Sequence, residues 1–248
     1  MIWNPFAKTA PLVAAAAWEE VEAQLPFLAR LSPAQRSRLR ELALAFIAAK
    51  EWHAAQGLVL TRQMQLVIAL QACLLVLELG LHWYAGWIGI VVYPGDFLIP
   101  RAQMDPDGVV HEYADAVLGE AWEGGPVLLS WFAEAGETLG VNVVIHEFAH
   151  KLDMRSGSAD GMPPLHRDMS VQRWRRTFGA AYEDFCRRVD GGEDTVLDPY
   201  AAESPAEFFA VMSEAFFETP ELLHEEYAQL YCELALFYRQ DTHGATPS

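Results

Sequence analysis

The feature that most restricts the fold of this chain is a long apolar run, LVIALQACLLVLELGLHWYAGWIGIVVY, which covers residues 66–93. A run of this length is buried either in a protein core or in a membrane. Glutamine, glutamate and histidine side chains interrupt it, and Gly80 indicates a helix stop midway. No basic residue closely follows it, although basic residues typically flank membrane helices. We therefore predict a buried core helix over about 62–79, then a strand, and no membrane insertion.

The net charge restricts the partners of the chain. It has 248 residues, of which 52% are hydrophobic, so a sizeable core is available. The formal net charge is −17 and the isoelectric point is about 4.7. An acidic surface repels the phosphates of nucleic acids and the head groups of anionic membranes. We therefore predict no direct nucleic-acid binding and no membrane association.

The cysteine content and the N-terminal sequence both bear on the compartment. The 3 cysteines are far apart and form no CxxC pair, which indicates free thiols in a reducing environment. The N-terminal sequence MIWNPFAKTAPLVAAAAWEE lacks the charged region and the longer apolar region of a secretion signal. These features together predict a cytoplasmic protein.

Capping and turn signals indicate how the chain is organised. LSPAQ contains a capping box at Ser32 and predicts a helix that reaches about Glu51. Later capping signals and apolar periodicity predict four more helices, over 142–154, 170–189, 205–218 and 220–238. Between them, short β-rich runs predict a small, mostly antiparallel sheet, because the gaps look too short for helical crossovers.

These signals predict a mainly helical α+β fold and one domain over 1–248. We expect three consecutive parts within that domain, namely a helical N-terminal part over about 12–80, a small sheet over about 87–131 and a helical part over about 142–240.

One helical segment carries a metal-binding pattern. NVVIHEFAHKLD contains His146, Glu147 and His150 in the spacing HExxH. Residues four apart lie on one face of a helix, so both imidazoles can share one Zn²⁺. Glu147 is rotated by about 100° and lies beside a water molecule that the metal would activate. The alternative is two hydrogen-bonded core histidines. The apolar flanks favour a metal, because polar groups on a buried helix need partners.

A catalytic zinc needs a third protein ligand. One class uses a histidine six residues after the motif, but Ser156 occupies that position. The remaining usual solution is a glutamate on a later helix, and YAAESPAEFFAVMSE, residues 200–214, offers several. The helix start at Ser204 puts Glu207 at the third helical position. There it can bind a metal, or it can close a capping box onto Ser204.

At this point the residues carry a family resemblance. VIHEFAHKLDM and DPYAAESPAEFFAVMSEAFF resemble the Mlc titration factor A (MtfA) family of bacterial zinc metallopeptidases. CLLVLELGLHWYAGW, IVVYPGDF and PELL extend the resemblance across most of the chain. It implies a zincin-like fold of the gluzincin type, one Zn²⁺ per chain, and aminopeptidase-like activity on small peptides. It also implies binding to a glucose-responsive transcriptional repressor.

The resemblance also implies roles for individual residues. The glutamate of the PAE segment, Glu207, would be the third metal ligand, and Tyr200, seven residues earlier, would be catalytic. From chemistry alone, Tyr200 could either donate a hydrogen bond to an oxyanion or simply pack in its loop. The alternative function is a protein that mainly sequesters a regulator, with slight peptidase activity.

Two further acids are possible supports for the ligands. Asp153 lies on the histidine face of its helix and could accept a hydrogen bond from a ligand histidine. It could equally pair with Lys151 or Arg155, or cap the helix end. Glu214 lies about 10 Å beyond Glu207 along the helix axis and could support a ligand, bind another core group or be exposed.

Overall fold

The computed structural model of the chain describes residues 13–104, 110–131 and 142–244, and for 98–104 and 110–117 it describes the backbone alone. The α-helices in these ranges are α1 (Ala15–Glu22), α2 (Pro33–Ala49), α3 (Arg62–Leu75), α4 (Val143–Asp153), α5 (Val171–Asp190), α6 (Pro205–Glu218) and α7 (Pro220–Tyr238). The strands are β1 (Glu51–Ala54), β2 (Gly89–Tyr93), β3 (Phe97–Met104), β4 (Val110–Val117), β5 (Gly119–Ala121) and β6 (Val127–Ser130).

The mainly helical α+β prediction is confirmed. The helices predicted in the second half of the chain agree with α4 to α7 within about one residue at each end. The capping box at Ser32 is present, and α2 ends at Ala49, slightly earlier than predicted. The apolar helix ends at Leu75 and turns follow it. Most of the N-terminal sequence that lacks a secretion pattern, and residues 105–109 of the predicted sheet region, lie outside the described residues.

The prediction of a mostly antiparallel sheet is wrong, because the four-stranded sheet is mixed. Its strand order is β1-β2-β6-β5. β1 pairs with β2 in parallel, and β2 pairs with β6 in parallel. Only β5, at one edge, runs antiparallel to its neighbour β6.

Two long connections account for this difference. β1 directly follows α2, within the part predicted to be helical, and α3 then makes a helical crossover from β1 to β2. The connection from β2 to β6 contains β3 and β4, which form a separate two-stranded antiparallel sheet. The short gaps therefore separate strands that are neighbours in sequence, but several of these strands do not pair with each other.

The helical part of the apolar run is buried in the core, as predicted. Every residue of α3 from Leu66 to Leu75 is buried. Among the helices of the described residues, none is both long enough and apolar enough to cross a membrane. The fully buried Phe148 of α4 packs against the rings of Phe46, Tyr84 and Trp87, with centroid distances of 5.6, 5.2 and 5.8 Å. Removing such a side chain typically costs about 3–5 kcal/mol, so this cluster fixes α4 firmly in the core.

The loop after α4 brings three helices together at the buried Gly161. Asp153 Oδ2, at the end of α4, accepts a hydrogen bond from the Gly161 N–H at 2.8 Å. Trp174 Nε1 of α5 donates to the Gly161 carbonyl at 3.1 Å. A Cβ atom at Gly161 would lie 2.5 Å from the carbonyl oxygen of Pro205, the first residue of α6. The absence of a side chain therefore allows α4, α5 and α6 to meet.

We expect Gly161→Ala to destabilise the fold more than Gly192→Ala. Both glycines have a positive φ, +78° and +72° respectively, so both substitutions cost about 1–2 kcal/mol in backbone strain. Only the Gly161 substitution adds a collision, with Pro205, which costs a further 1–3 kcal/mol or so. Urea unfolding measures both free energies, and equal losses in the two variants would contradict the proposed contact.

Candidate metal centre

The HExxH segment lies on α4, a helix that is buried along nearly its whole length. Asn142 starts the helix, because its Oδ1 accepts a hydrogen bond from the N–H of Ile145 at 3.0 Å. His146, Glu147 and His150 are each less than 10% exposed. Buried imidazoles need partners, and those of the two histidines come from α6.

Glu207, at the start of α6, approaches both histidines. Ser204 accepts a hydrogen bond from the Glu207 N–H at 3.2 Å and so caps the helix. The Glu207 side chain turns towards α4, where its Oε2 lies 2.8 Å from His146 Nε2 and 3.2 Å from His150 Nε2. The two Nε2 atoms are 3.1 Å apart. The Glu207 carboxylate is therefore engaged with the histidines and does not close a capping box onto Ser204.

The facing atoms of His146, His150 and Glu207 form a three-atom cluster, called the cluster below, whose spacing suits a tetrahedral metal ion. The candidate ligand atoms of His146, His150 and Glu207 all lie within 4.8 Å of one another. Ligands at about 2.0–2.1 Å from a tetrahedral zinc are separated by roughly 3.3–3.4 Å. The observed separations of 2.8, 3.1 and 3.2 Å are slightly shorter than that. Two imidazole nitrogens and one carboxylate oxygen also form a common donor set for catalytic zinc.

The surrounding charges favour a cation at this position. Burial opposes the charged form of Glu207, but hydrogen bonds with His146 and His150 outweigh it and lower the Glu207 pKa to about 2. Burial likewise opposes the charged form of His146, but hydrogen bonds with Glu207 and Glu214 raise the His146 pKa well above its usual value. The same carboxylates that stabilise positive charge on His146 would also stabilise a cation bound between the three side chains.

A hydrogen-bonded network holds the other side of His146. Glu214 Oε1 lies 2.7 Å from His146 Nδ1, and Glu214 Oε2 accepts from the Asn142 N–H at 2.5 Å. The Asn142 side-chain amide donates to Gln71 Oε1 and to Glu218 Oε1, both at 2.7 Å. A carboxylate at Nδ1 orients the ring and leaves Nε2 free to face Glu207. Asn142 therefore connects the candidate ligand His146 to α3 and to the end of α6.

Glu147 is buried beneath the edge strand β5. Burial raises the pKa of Glu147 to about 8, and the positive His146 acts against this shift. A Cβ atom at Gly119 would lie 2.5 Å from Glu147 Oε1 and 2.7 Å from Val143 Cγ2. Only a residue without a side chain allows β5 to pass so close to this carboxylate. Within the described part of the chain, Glu147 Oε2 is buried without a hydrogen-bond partner.

Tyr200 lies at the solvent-facing side of the histidines. It belongs to a short 3₁₀ turn, Pro199–Ala202, and it is 51% exposed. Its ring centroid is 6.1 Å from that of His146. Tyr182 of α5 donates a hydrogen bond to the Ala202 carbonyl at 3.2 Å and so holds the turn. The phenol is close to the cluster and accessible to a ligand from solvent.

Asp153 binds backbone groups of the following loop. Its Oδ2 accepts hydrogen bonds from the N–H groups of Asp160 and Gly161 at 2.9 and 2.8 Å. Burial raises the pKa of Asp153 to about 6, and these hydrogen bonds act in the opposite direction. Lys151 and Arg155 donate to backbone carbonyls elsewhere in the chain. The described contacts thus make Asp153 a support of the loop that joins α4 to α5 and packs against the start of α6.

Three residues near the cluster were not singled out from the sequence. Gly119 lies inside a short strand pattern, and an isolated glycine at such a position can indicate close backbone approach. Asn142 precedes an apolar helix, which is the usual position of an N-cap. Lys151 has no comparable signal, because its burial depends on a turn between two strands that the sequence does not position.

Comparison with known proteins identifies relatives along nearly the whole chain. Mlc titration factor A of Yersinia pestis is 39% identical over 232 residues, covering 91% of this chain and 85% of that protein. Mlc titration factor A of Yersinia pseudotuberculosis has the same identity and coverage. Uncharacterized protein slr2042 of Synechocystis sp. is 41% identical over 221 residues, covering 87% of this chain and 80% of that protein.

A family model also matches almost the full length. The model described as glucose-regulated metallo-peptidase M90 covers residues 5–239, which include all three residues of the candidate metal-binding cluster. Members of a metallopeptidase family require a metal, and His146, His150 and Glu207 offer a suitable donor set. The chain belongs to the glucose-regulated metallo-peptidase M90 family.

Proposed function

We propose that this chain is a zinc-dependent peptidase with aminopeptidase-like activity on small peptides. The observation that carries the proposal is the convergence of His146, His150 and Glu207, whose ligand atoms lie within 4.8 Å of one another. The buried Glu147 is adjacent in sequence to the first of these residues. We further propose that the fold is zincin-like and that residues 1–248 form one metallopeptidase domain.

The residues around the cluster have complementary roles in this proposal. Zinc at the cluster would polarise the substrate carbonyl and lower the pKa of a water molecule. Glu147 takes the proton of the attacking water and passes it to the leaving amine. Tyr200 donates a hydrogen bond to the oxyanion that develops on the substrate. Glu214 keeps the His146 ring in position through Nδ1, and Asp153 supports the adjoining loop.

Within the described ranges, β5 pairs with β6 alone, so its outer edge is suited to hold the substrate backbone. The backbone N–H of Ser130, in β6, donates to the Leu118 carbonyl at 2.7 Å, and the backbone N–H of Trp122 donates to the Pro126 carbonyl at 3.2 Å. Backbone groups alternate in direction along a strand, so those of Gly119 and Ala121 face away from β6. An extended peptide can add to such an edge by backbone hydrogen bonds. At Gly119 it would lie directly beside Glu147.

A second function follows from the names of the relatives. Two of them are named for titration of Mlc, and the resemblance implies that Mlc is a transcriptional repressor. We propose that this chain also binds a repressor of that kind in the cytoplasm. The net charge of −17 would favour a partner with a basic surface. The alternative to a dedicated peptidase is a protein whose main role is to sequester the repressor and whose peptidase activity is slight.

We expect Glu147→Gln to lower kcat by about 10²–10⁴-fold, because the amide cannot accept the proton of water. Zinc content and the free energy of unfolding should stay close to those of the wild type. Steady-state hydrolysis of small peptide amides measures kcat, and a wild-type rate in this variant would contradict the mechanism.

The same variant separates the two functions. If repressor binding needs no catalysis, Glu147→Gln should relieve repression in cells as strongly as the wild type does. Loss of the response together with catalysis would contradict the alternative in which binding alone matters.

We expect Glu207→Ala to weaken zinc binding by more than about 100-fold, the upper range for changes outside the ligand set. Glu203→Ala is the matched control, because Glu203 lies on the same segment and is exposed. Metal analysis after dialysis should find about one zinc per chain in the control and little in the Glu207 variant. Full zinc content in the Glu207 variant would assign the third ligand to another acid.

We expect Tyr200→Phe to lower kcat by roughly 10²-fold, as is typical when one oxyanion donor is removed. Zinc content should not change, because Tyr200 is not part of the three-atom cluster. The comparison of kcat, KM and zinc content tests this role. Unchanged kcat would make Tyr200 a packing residue.

A further inference from the structure

Lys151 is a buried cation next to the cluster that has no role in the mechanism above. It is only 3% exposed, and it follows His150 on α4. Its Nζ donates hydrogen bonds to the carbonyls of Trp122 and Gly125, at 2.5 and 2.8 Å. It also lies 4.8 Å from the centroid of the Trp87 ring. A buried ammonium group is costly unless it is paired, so these contacts compensate for its burial.

The two carbonyls belong to the turn between β5 and β6. The Gly125 N–H donates to the Trp122 carbonyl at 3.0 Å and closes this turn. Trp122 immediately follows Ala121, the last residue of β5. Lys151 therefore connects the end of the edge strand directly to α4, the helix that carries two of the candidate ligands.

Glu147 lies against the start of β5, and Lys151 is hydrogen-bonded to the turn that follows β5. They are four residues apart, so both lie on one face of α4. Glu147 lies below Gly119, where a Cβ atom would be 2.5 Å from its Oε1. Lys151 holds the turn that begins at Trp122. β5 has only three residues and pairs with β6 on one side, so its position depends strongly on these two contacts.

We propose that Lys151 is a positioning residue that sets the distance between the edge strand β5 and Glu147, and thereby the binding of the substrate backbone. This inference rests on the proposed function, in which the outer edge of β5 receives the peptide. Movement of the turn would shift the outward backbone groups of Gly119 and Ala121 relative to the cluster. The primary effect is on substrate binding, because the three candidate ligand atoms belong to α4 and α6 and not to the turn.

A second buried lysine provides a matched control. Lys50 donates to the carbonyls of Tyr84 and Trp87, at 2.8 and 2.6 Å. Its Nζ lies 3.4 Å from the centroid of the same Trp87 ring. Both lysines are therefore bound by two carbonyls and one indole. Of these two lysines, Lys151 alone is hydrogen-bonded to the turn between β5 and β6.

The test compares Lys151→Met with Lys50→Met in the zinc-loaded protein. We expect Lys151→Met to raise KM for small peptide amides by about tenfold or more while kcat changes less than about threefold. Without substrate, the amides of Trp122 and Gly125 should exchange hydrogen at least about tenfold faster in this variant. Lys50→Met should lower the unfolding midpoint but leave KM and both exchange rates close to wild type.

Two outcomes would overturn the inference. One is equal KM in the two methionine variants, and the other is unchanged exchange at Trp122 and Gly125 in Lys151→Met. If Lys151→Met does not fold, Lys151→Arg replaces it, since the longer, planar guanidinium displaces the turn and should raise KM by about threefold. An unchanged KM in that variant would also overturn the inference. Failure of the proposed function is separate, because it would appear as wild-type turnover in Glu147→Gln.

Discussion

The contact between the Glu207 carboxylate and the imidazoles of His146 and His150 is the interaction on which the rest of the site depends. It joins the start of α6 to the middle of α4, with separations of 2.8 and 3.2 Å. A buried carboxylate without a partner would cost several kcal/mol, so the two helices must be held in register. The buried Phe148 cluster fixes α4, and the loop at Gly161 fixes the start of α6 against it.

This arrangement brings several acids together in and beside the cluster. Glu147 and Glu214 are buried, Glu207 and Glu218 are half-buried, and burial raises the pKa of Glu214 and of Glu218. The contacts of His146 with Glu207 and Glu214 offset part of the repulsion. A divalent cation would offset more of it, because it places two charges among the carboxylates. A metal ion bound at this site would therefore also stabilise the fold.

The sequence predicts the parts of the site that depend on local spacing. The HExxH pattern, the Ser-Pro start of α6 and the position of Glu207 on it can all be read from a few neighbouring residues. The mixed sheet cannot be read in this way. Its strand β1 begins where a helix is predicted to end, and the pairing of β1 with β2 depends on the crossover through α3. The contacts of Gly119 and Lys151 depend on that sheet, so they too became visible only in the folded chain.

The central claim is that one zinc ion is held by His146, His150 and Glu207. The most direct measurement is an anomalous-scattering map recorded at the zinc absorption edge from crystals of the protein. We expect one strong peak at about 2.0–2.2 Å from Nε2 of each histidine and from a carboxylate oxygen of Glu207. A zinc peak bound by a different set of side chains, or no peak in crystals grown with zinc, would contradict the claim.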